Sequence, residues 1–197
     1  MGSFGLLSLI AFSPLLAVVV LAFVPGNRVG TIKLIGVLAT LIPLILAAVL
    51  FIGFDTSVGG MQYVEDVKWI EIALTNDHGN GTTILEFRYG MGVDGLSLAL
   101  VMLATIVATM SAIAAANMIK KRFKEYFILF ALMQVGLYGI FMAMNLFLFF
   151  IFFEITLITM FFLVGIWGLE KRENAAFTFL IYNGLASTIM LVAFIAI

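Results

Sequence analysis

Six stretches of this chain are long and apolar enough to cross a lipid bilayer, and no other feature narrows the fold as far. A hydrocarbon core of ~30 Å takes ~20 mostly apolar residues in helical form. The runs are Phe4–Val24, Ile32–Phe54, Val93–Met118, Tyr126–Met144, Leu146–Gly168 and Ala175–Ile197. They predict an all-α, polytopic membrane protein of about six transmembrane helices with one long external loop. Pro25-Gly26-Asn27-Arg28 reads as a turn, and two charged clusters, Lys120–Glu125 and Glu170–Asn174, mark further chain reversals. The fourth and fifth runs are fused. As a single helix they would be ~60 Å long, twice the membrane thickness, so the chain is expected to fold back near Asn145. The first run lacks a basic leading segment and a small-residue cleavage site, and reads as a retained anchor.

Composition excludes the main alternatives. Apolar residues make up 64% of the chain and charged ones 11%, against about 45–50% and about 25% in ordinary soluble domains. So few charges cannot cover the surface of a soluble enzyme. A net charge of −1 excludes a nucleic-acid binder. The absence of Cys excludes disulfides, thiolate metal sites and cysteine nucleophiles. There is no phosphate-binding loop, no pair of haem-ligating His and no iron–sulfur motif, so a resident redox centre is not expected.

The basic residues set an orientation. With alternating crossings, Arg28, Lys33, Lys120, Lys121, Arg122, Lys124, Lys171 and Arg172 share one side, and only Lys68 and Arg88 lie on the other. The positive-inside rule then places the eight in the cytoplasm and both termini outside, in a multi-pass protein of the cell membrane. The chain divides into 1–54 (two helices), 55–90 (an external hydrophilic loop) and 91–197 (four helices). Within the loop, Val67–Leu74 and Thr82–Tyr89 flank an Asn/Asp/Gly turn and read as a hairpin. The single His, His78, lies in that turn and reads as solvated, since no second ligand supports a metal.

Ionisable groups inside the membrane are expensive, ~2.5–3.5 kcal/mol each even on a permissive scale. Two acids fall within apolar runs. Asp94 begins the third and reads first as a helix cap. Glu154 has no chain end nearby and sits ~12 Å below Leu146, close to the middle of the membrane. Desolvation there penalises its charged form and a neighbouring cation would restore it, which is how a switchable proton carrier works. The plainer reading is a protonated Glu that bonds a neighbouring helix. Gln134, Tyr138, Asn145, Thr156, Thr159 and the polar positions of the last run either hold water beside it or glue helices together. No intramembrane Lys or Arg accompanies it.

Gly92-Val93-Asp94-Gly95-Leu96-Ser97-Leu98, Asn145–Glu154 and Leu157–Gly168 closely resemble the chain M family of NADH–quinone oxidoreductases, whose mitochondrial counterpart is subunit 4 of complex I. Ala175–Phe179 and Tyr182 also fit. The resemblance implies an antiporter-like subunit that couples quinone reduction to proton transport. In the family, the Glu matching Glu154 pairs with a Lys on a later helix. It also implies that NADH, flavin, iron–sulfur clusters and quinone belong to partner subunits, with none of them bound by this chain. Its partners are then the other membrane subunits, the lipid bilayer and protons. The family commonly has Asp where this chain has Asn145, and it has more helices than the six read here, so residues 91–197 correspond to the start of the translocation module. Two other readings are a subunit of a multisubunit Na+/H+ antiporter and a membrane scaffold that transports nothing.

Overall fold

The computed structural model describes residues 5–75 and 82–196. His78 and the rest of the proposed hairpin turn lie outside the described residues. The chain runs through α1 (Leu6–Phe12), α2 (Pro14–Phe23), α3 (Val29–Gly53), β1 (Gln62–Thr75), β2 (Thr82–Val93), α4 (Gly95–Met118), α5 (Phe123–Met142), α6 (Leu146–Trp167) and α7 (Arg172–Ala196). Five of the helices are long and apolar enough to span a membrane, and α1 with α2 forms a sixth, broken span. The protein is a helical membrane bundle carrying, among the described residues, one two-stranded antiparallel sheet.

The first run departs from expectation. It is not one helix but two, bent by 40° at Ser13–Pro14. Proline has no N–H, so Pro14 cannot bond the carbonyl of Ile10 four residues back. The Ser13 hydroxyl donates to that carbonyl instead, at 3.2 Å. A second proline, Pro43, lies inside α3 without ending it. There the Thr109 hydroxyl of α4 reaches across to the Thr40 carbonyl at 3.2 Å, in the turn that Pro43 disturbs. At Pro14 the hydroxyl bonds the backbone oxygen that the proline leaves, which lipid could not satisfy. At Pro43 the bond falls on the next carbonyl along and ties α4 to α3.

The reversal at Asn145 is as expected. Its Oδ1 accepts from Leu148 N at 2.8 Å, capping α6, while its Nδ2 donates to the Arg88 carbonyl at 2.6 Å and ties the turn to β2. Gly136 and Gly139 let α5 approach α6: a Cβ at either would run into Phe152 or Thr156. The bundle core lies between α1–α5, with Tyr138, Phe127, Val101, Ile32 and Leu50 fully buried or nearly so.

The hairpin is longer than the sequence suggests, pairing Gln62 with Val93 at the base and Thr75 with Thr82 at the tip. Its base carries a bulge between Gln62 and Glu65, with Tyr63 at φ +53°. A bulge re-aims the side chains beside it. Here Glu65, one of the acids of the hydrophilic loop, turns into the bundle and is only 6% exposed. Its carboxylate accepts from Leu7 N at 2.7 Å and from Ser8 N at 3.2 Å, and also from the Ser8 hydroxyl. The cap position of α1 is Gly5, which has no side chain to offer. Glu65 therefore supplies the cap from a distant strand. The Ser8 hydroxyl also meets the Tyr89 hydroxyl at 2.7 Å. Burial pushes that phenol above its ordinary value, so it remains protonated and able to donate.

Removing this carboxylate leaves buried N–H groups without partners, a loss of about 1–3 kcal/mol for such groups. Glu65→Ala is therefore expected to lower stability in mixed-micelle unfolding by about 2 kcal/mol. Unchanged unfolding would show that α1 does not depend on the hairpin for its cap.

Candidate functional site

The seam between α6 and α7 holds the one deep acid of the apolar spans. Glu154 lies on α6 and is half-buried. At 100° per residue, Glu154 shares a helix face with Phe147, Phe150, Phe161 and Gly165, opposite the Phe152–Thr156 face that packs on α5. The shared face looks toward α7. The Phe161 ring meets Phe177 edge-on with centroids 5.8 Å apart, and Gly165 sits against Ala176. Toward the hairpin end, Phe147 and Phe150 line a cavity of about 350 Å³ together with Leu191 and Phe194 of α7. Arg88, Glu86 and Asn145 form its polar mouth.

This antiparallel register brings Glu154 level with the stretch from Gly184 to Ser187 on α7. A Cβ at Gly184 would touch nothing within 4 Å, so the seam is open at that height. Among the described residues, no hydrogen-bond donor or cation meets the Glu154 carboxyl. A deep, unpartnered carboxyl beside open space, one turn below a cavity with a polar mouth, can exchange a proton with water or take up a partner.

The polar residues expected to surround it mostly do not. Thr156 donates to the Phe152 carbonyl at 3.0 Å and Thr159 to the Ile155 carbonyl at 2.8 Å, so both hydroxyls serve their own helix. On α7, Asn183 bonds the Phe179 carbonyl, while Ser187 and Thr188 bond that of Gly184. Gln134 and Tyr138 lie on the opposite face of α5, away from α6. The Tyr138 hydroxyl donates to Gln134 Oε1 at 3.2 Å. Gln134 Nε2 is buried without a partner, beside a void of about 10 Å³ that Pro14, Gly36 and Thr40 also line. Asn145 serves as cap and tether. Asp94 caps α4, accepting from Ser97 N at 2.7 Å. The Glu65–Ser8–Tyr89 cluster was not legible from the sequence, because the bulge that turns Glu65 inward leaves no mark in the hydropathy pattern.

Residues 143–197 match the family described as NADH:quinone oxidoreductase/Mrp antiporter, TM. The chain is 39% identical to NADH-quinone oxidoreductase subunit M of Rhodobacter capsulatus, over 98% of its own length and 35% of that protein. It is 33% identical to NADH-ubiquinone oxidoreductase chain 4 of Arabidopsis thaliana, over 97% of this chain and 36% of the relative. A chain of respiratory complex I from Thermus thermophilus shares the fold, with a TM-score of 0.69 and 24% identity over 96% of this chain and 35% of that one. The chain thus spans about a third of the length of the curated relatives it matches. By sequence it is similar, over that third, to the subunit M and chain 4 proteins of NADH–quinone oxidoreductases.

The Asp94 cap gives a test with a definite sign. The Ser97 backbone N–H, and then its side chain, hold the Asp94 carboxyl below its ordinary value of 3.8. A carboxyl lowered on folding contributes stability that is complete above the unfolded value and is lost as pH falls through the folded one. Unfolding measured from neutral pH downward should show Asp94→Asn matching the parent at neutral pH and losing this acid-dependent part. Asp94→Ala should be weaker throughout. A drop at neutral pH for Asp94→Asn as large as that for Asp94→Ala would show that more than capping is lost.

Proposed function

We propose that this chain forms part of a proton-translocating membrane subunit of an NADH–quinone oxidoreductase, in which Glu154 takes up and releases the transported proton. The observation that carries the reading is the placement of Glu154, half-buried and unpartnered on the α6–α7 seam below a cavity with a polar mouth. A carboxyl in that position is within reach of water and of an approaching cation. In this reading a conformational change elsewhere moves that partner and drives uptake and release. The chain carries no redox group of its own in this reading. NADH oxidation, electron transfer and quinone reduction belong to partner subunits, and the other membrane subunits supply the coupling.

The second reading is a Na+/H+ antiporter subunit, which the description of the matching family also covers. The two separate on sodium: exchange driven by a sodium gradient without quinone reduction favours the antiporter. A scaffold that carries no proton is a third outcome, and Glu154 decides it. In a complete subunit within its native complex, Glu154→Gln keeps volume and hydrogen bonding but removes titration. Assembly should survive while protons moved per quinone reduced fall sharply. Glu154→Asp should retain part of the activity. Normal pumping by an assembled Glu154→Gln variant would reduce this residue to a helix contact.

The proposed orientation, with both termini outside, rests on the positive-inside rule and on where the bases gather. Lys124 Nζ donates to the carbonyls of Ala22 and Val24 at 2.9 and 3.1 Å, and Lys33 sits 4.6 Å from the Phe123 ring centre. Trp167 Nε1 donates to the Lys121 carbonyl at 2.9 Å. These contacts gather the basic loops at the end opposite the hairpin. Since the chain has no native Cys, single cysteines report sidedness. Val58→Cys should react with an impermeant thiol reagent in intact cells, and Asn174→Cys only after permeabilisation. The reverse pattern would invert the topology.

A further inference from the structure

We propose that the cavity between the α4–α5 and α6–α7 loops binds the phosphate headgroup of an anionic phospholipid. The cavity measures about 490 Å³ and is lined by Lys120, Lys121, Arg122 and Arg172, with Gly165, Ile166 and Trp167 forming its wall. That volume lies within the range of small-ligand sites. It opens where two membrane-spanning helices end and two others begin, at headgroup depth.

The charge there is not neutralised by the protein. Arg122 faces Glu125 at a loose 3.5 Å. Lys120, Lys121 and Arg172 have no ion-pair partner among the described residues. Glu125, Glu170 and Glu173 are the acids of the adjoining segments, too few to balance the bases of this end. Basic pockets between transmembrane helices are suited to lipid phosphates, and each Lys or Arg near an anionic surface strengthens attachment ~5-fold.

The wall is fixed. Trp167 is pinned by its bond to the Lys121 carbonyl and stands edge-on to Tyr126 at 5.3 Å between ring centres. An indole at this depth packs beside the glycerol region of a lipid. The backbone supplies an independent observation. Arg122 and Lys171 both adopt left-handed conformations, φ +55° and +58°, immediately before α5 and α7. Glycine would take up that geometry at less cost. Retaining a base at each point keeps positive charge on both loops bordering the cavity. A lipid seated here would bridge α4–α5 to α6–α7 on the basic side, where α7 is otherwise the least enclosed span.

The test uses native membranes and lipids carrying a photoactivatable group at the headgroup. Phosphatidylglycerol should label the peptides spanning 118–122 and 165–172 at least ~5-fold more than phosphatidylcholine with the same acyl chains. The double variant Lys121→Gln/Arg172→Gln should cut that labelling ~10-fold or more, given ~5-fold for each lost charge. Lys121→Arg should retain it, and so should Arg28→Gln, which removes a base from the same face outside the cavity. Excess glycerol phosphate should not compete. Equal labelling by the two lipids, an equal loss with Arg28→Gln, or displacement by glycerol phosphate would each overturn the proposal. The first two outcomes mean a diffuse surface potential, the last a site for free anions. None of them bears on Glu154.

Discussion

Inside a bilayer every backbone N–H and C=O must find a partner within the protein, and the architecture of this chain depends on how it meets that demand. Uninterrupted helices meet it automatically. Interruptions do not, and side chains gather where they occur. The Ser13 hydroxyl takes the carbonyl that Pro14 abandons, Thr109 bonds the Thr40 carbonyl near Pro43, and Asn145 caps α6 while holding β2. Glu65 caps α1 from the hairpin. These contacts join distant parts of the sequence. In lipid, where apolar surface alone gives little driving force for helix association, they do much to specify which helix lies beside which.

Most of the architecture was legible because the bilayer imposes a length. The apolar runs coincide with helices, and the fused run had to reverse at Asn145 because one helix cannot exceed the membrane so far. Asp94 followed the same local logic, since an acid before Gly-Leu-Ser at the start of an apolar run is a cap. Failures came where one residue overrides a pattern. Pro14 splits the first span although the hydropathy across it is continuous. Glu65 scores as a solvent-facing acid, and only the bulge at Tyr63 turns it inward. Helix phase separates Gln134 and Tyr138 from Glu154, a distinction that proximity in sequence hides.

Charge is distributed as unevenly as hydropathy. Among the described residues, Asp55, Glu65, Asp66, Glu71, Glu86 and Asp94 gather at the hairpin end with only Lys68 and Arg88. Those two bases are committed to local pairs, Lys68 with Glu86 at 2.6 Å and Arg88 with Asp66 at 2.8 Å. Such exposed pairs contribute little to stability. They do leave the hairpin face acidic, while the opposite face stays basic. The bundle is therefore polarised along its axis, with Glu154 between the poles.

The two sides of α6 explain why an ionisable group is tolerated there. The helix is apolar almost all round, so hydropathy gives it no preferred face. Packing does. Toward α5, Gly136 and Gly139 bring the backbones so close that a Cβ would not fit, and that side has no room to change. Toward α7, contact is made through Phe161, Gly165 and the aromatic residues near the hairpin, and open space remains at Gly184. Close-packed interiors do not deform gradually, whereas a loosely joined seam admits water or a moving side chain. A carboxyl on the tight face would be sealed among its neighbours. On the loose face it stays open to water or to a moving side chain, the access that the proposed proton-carrier role requires.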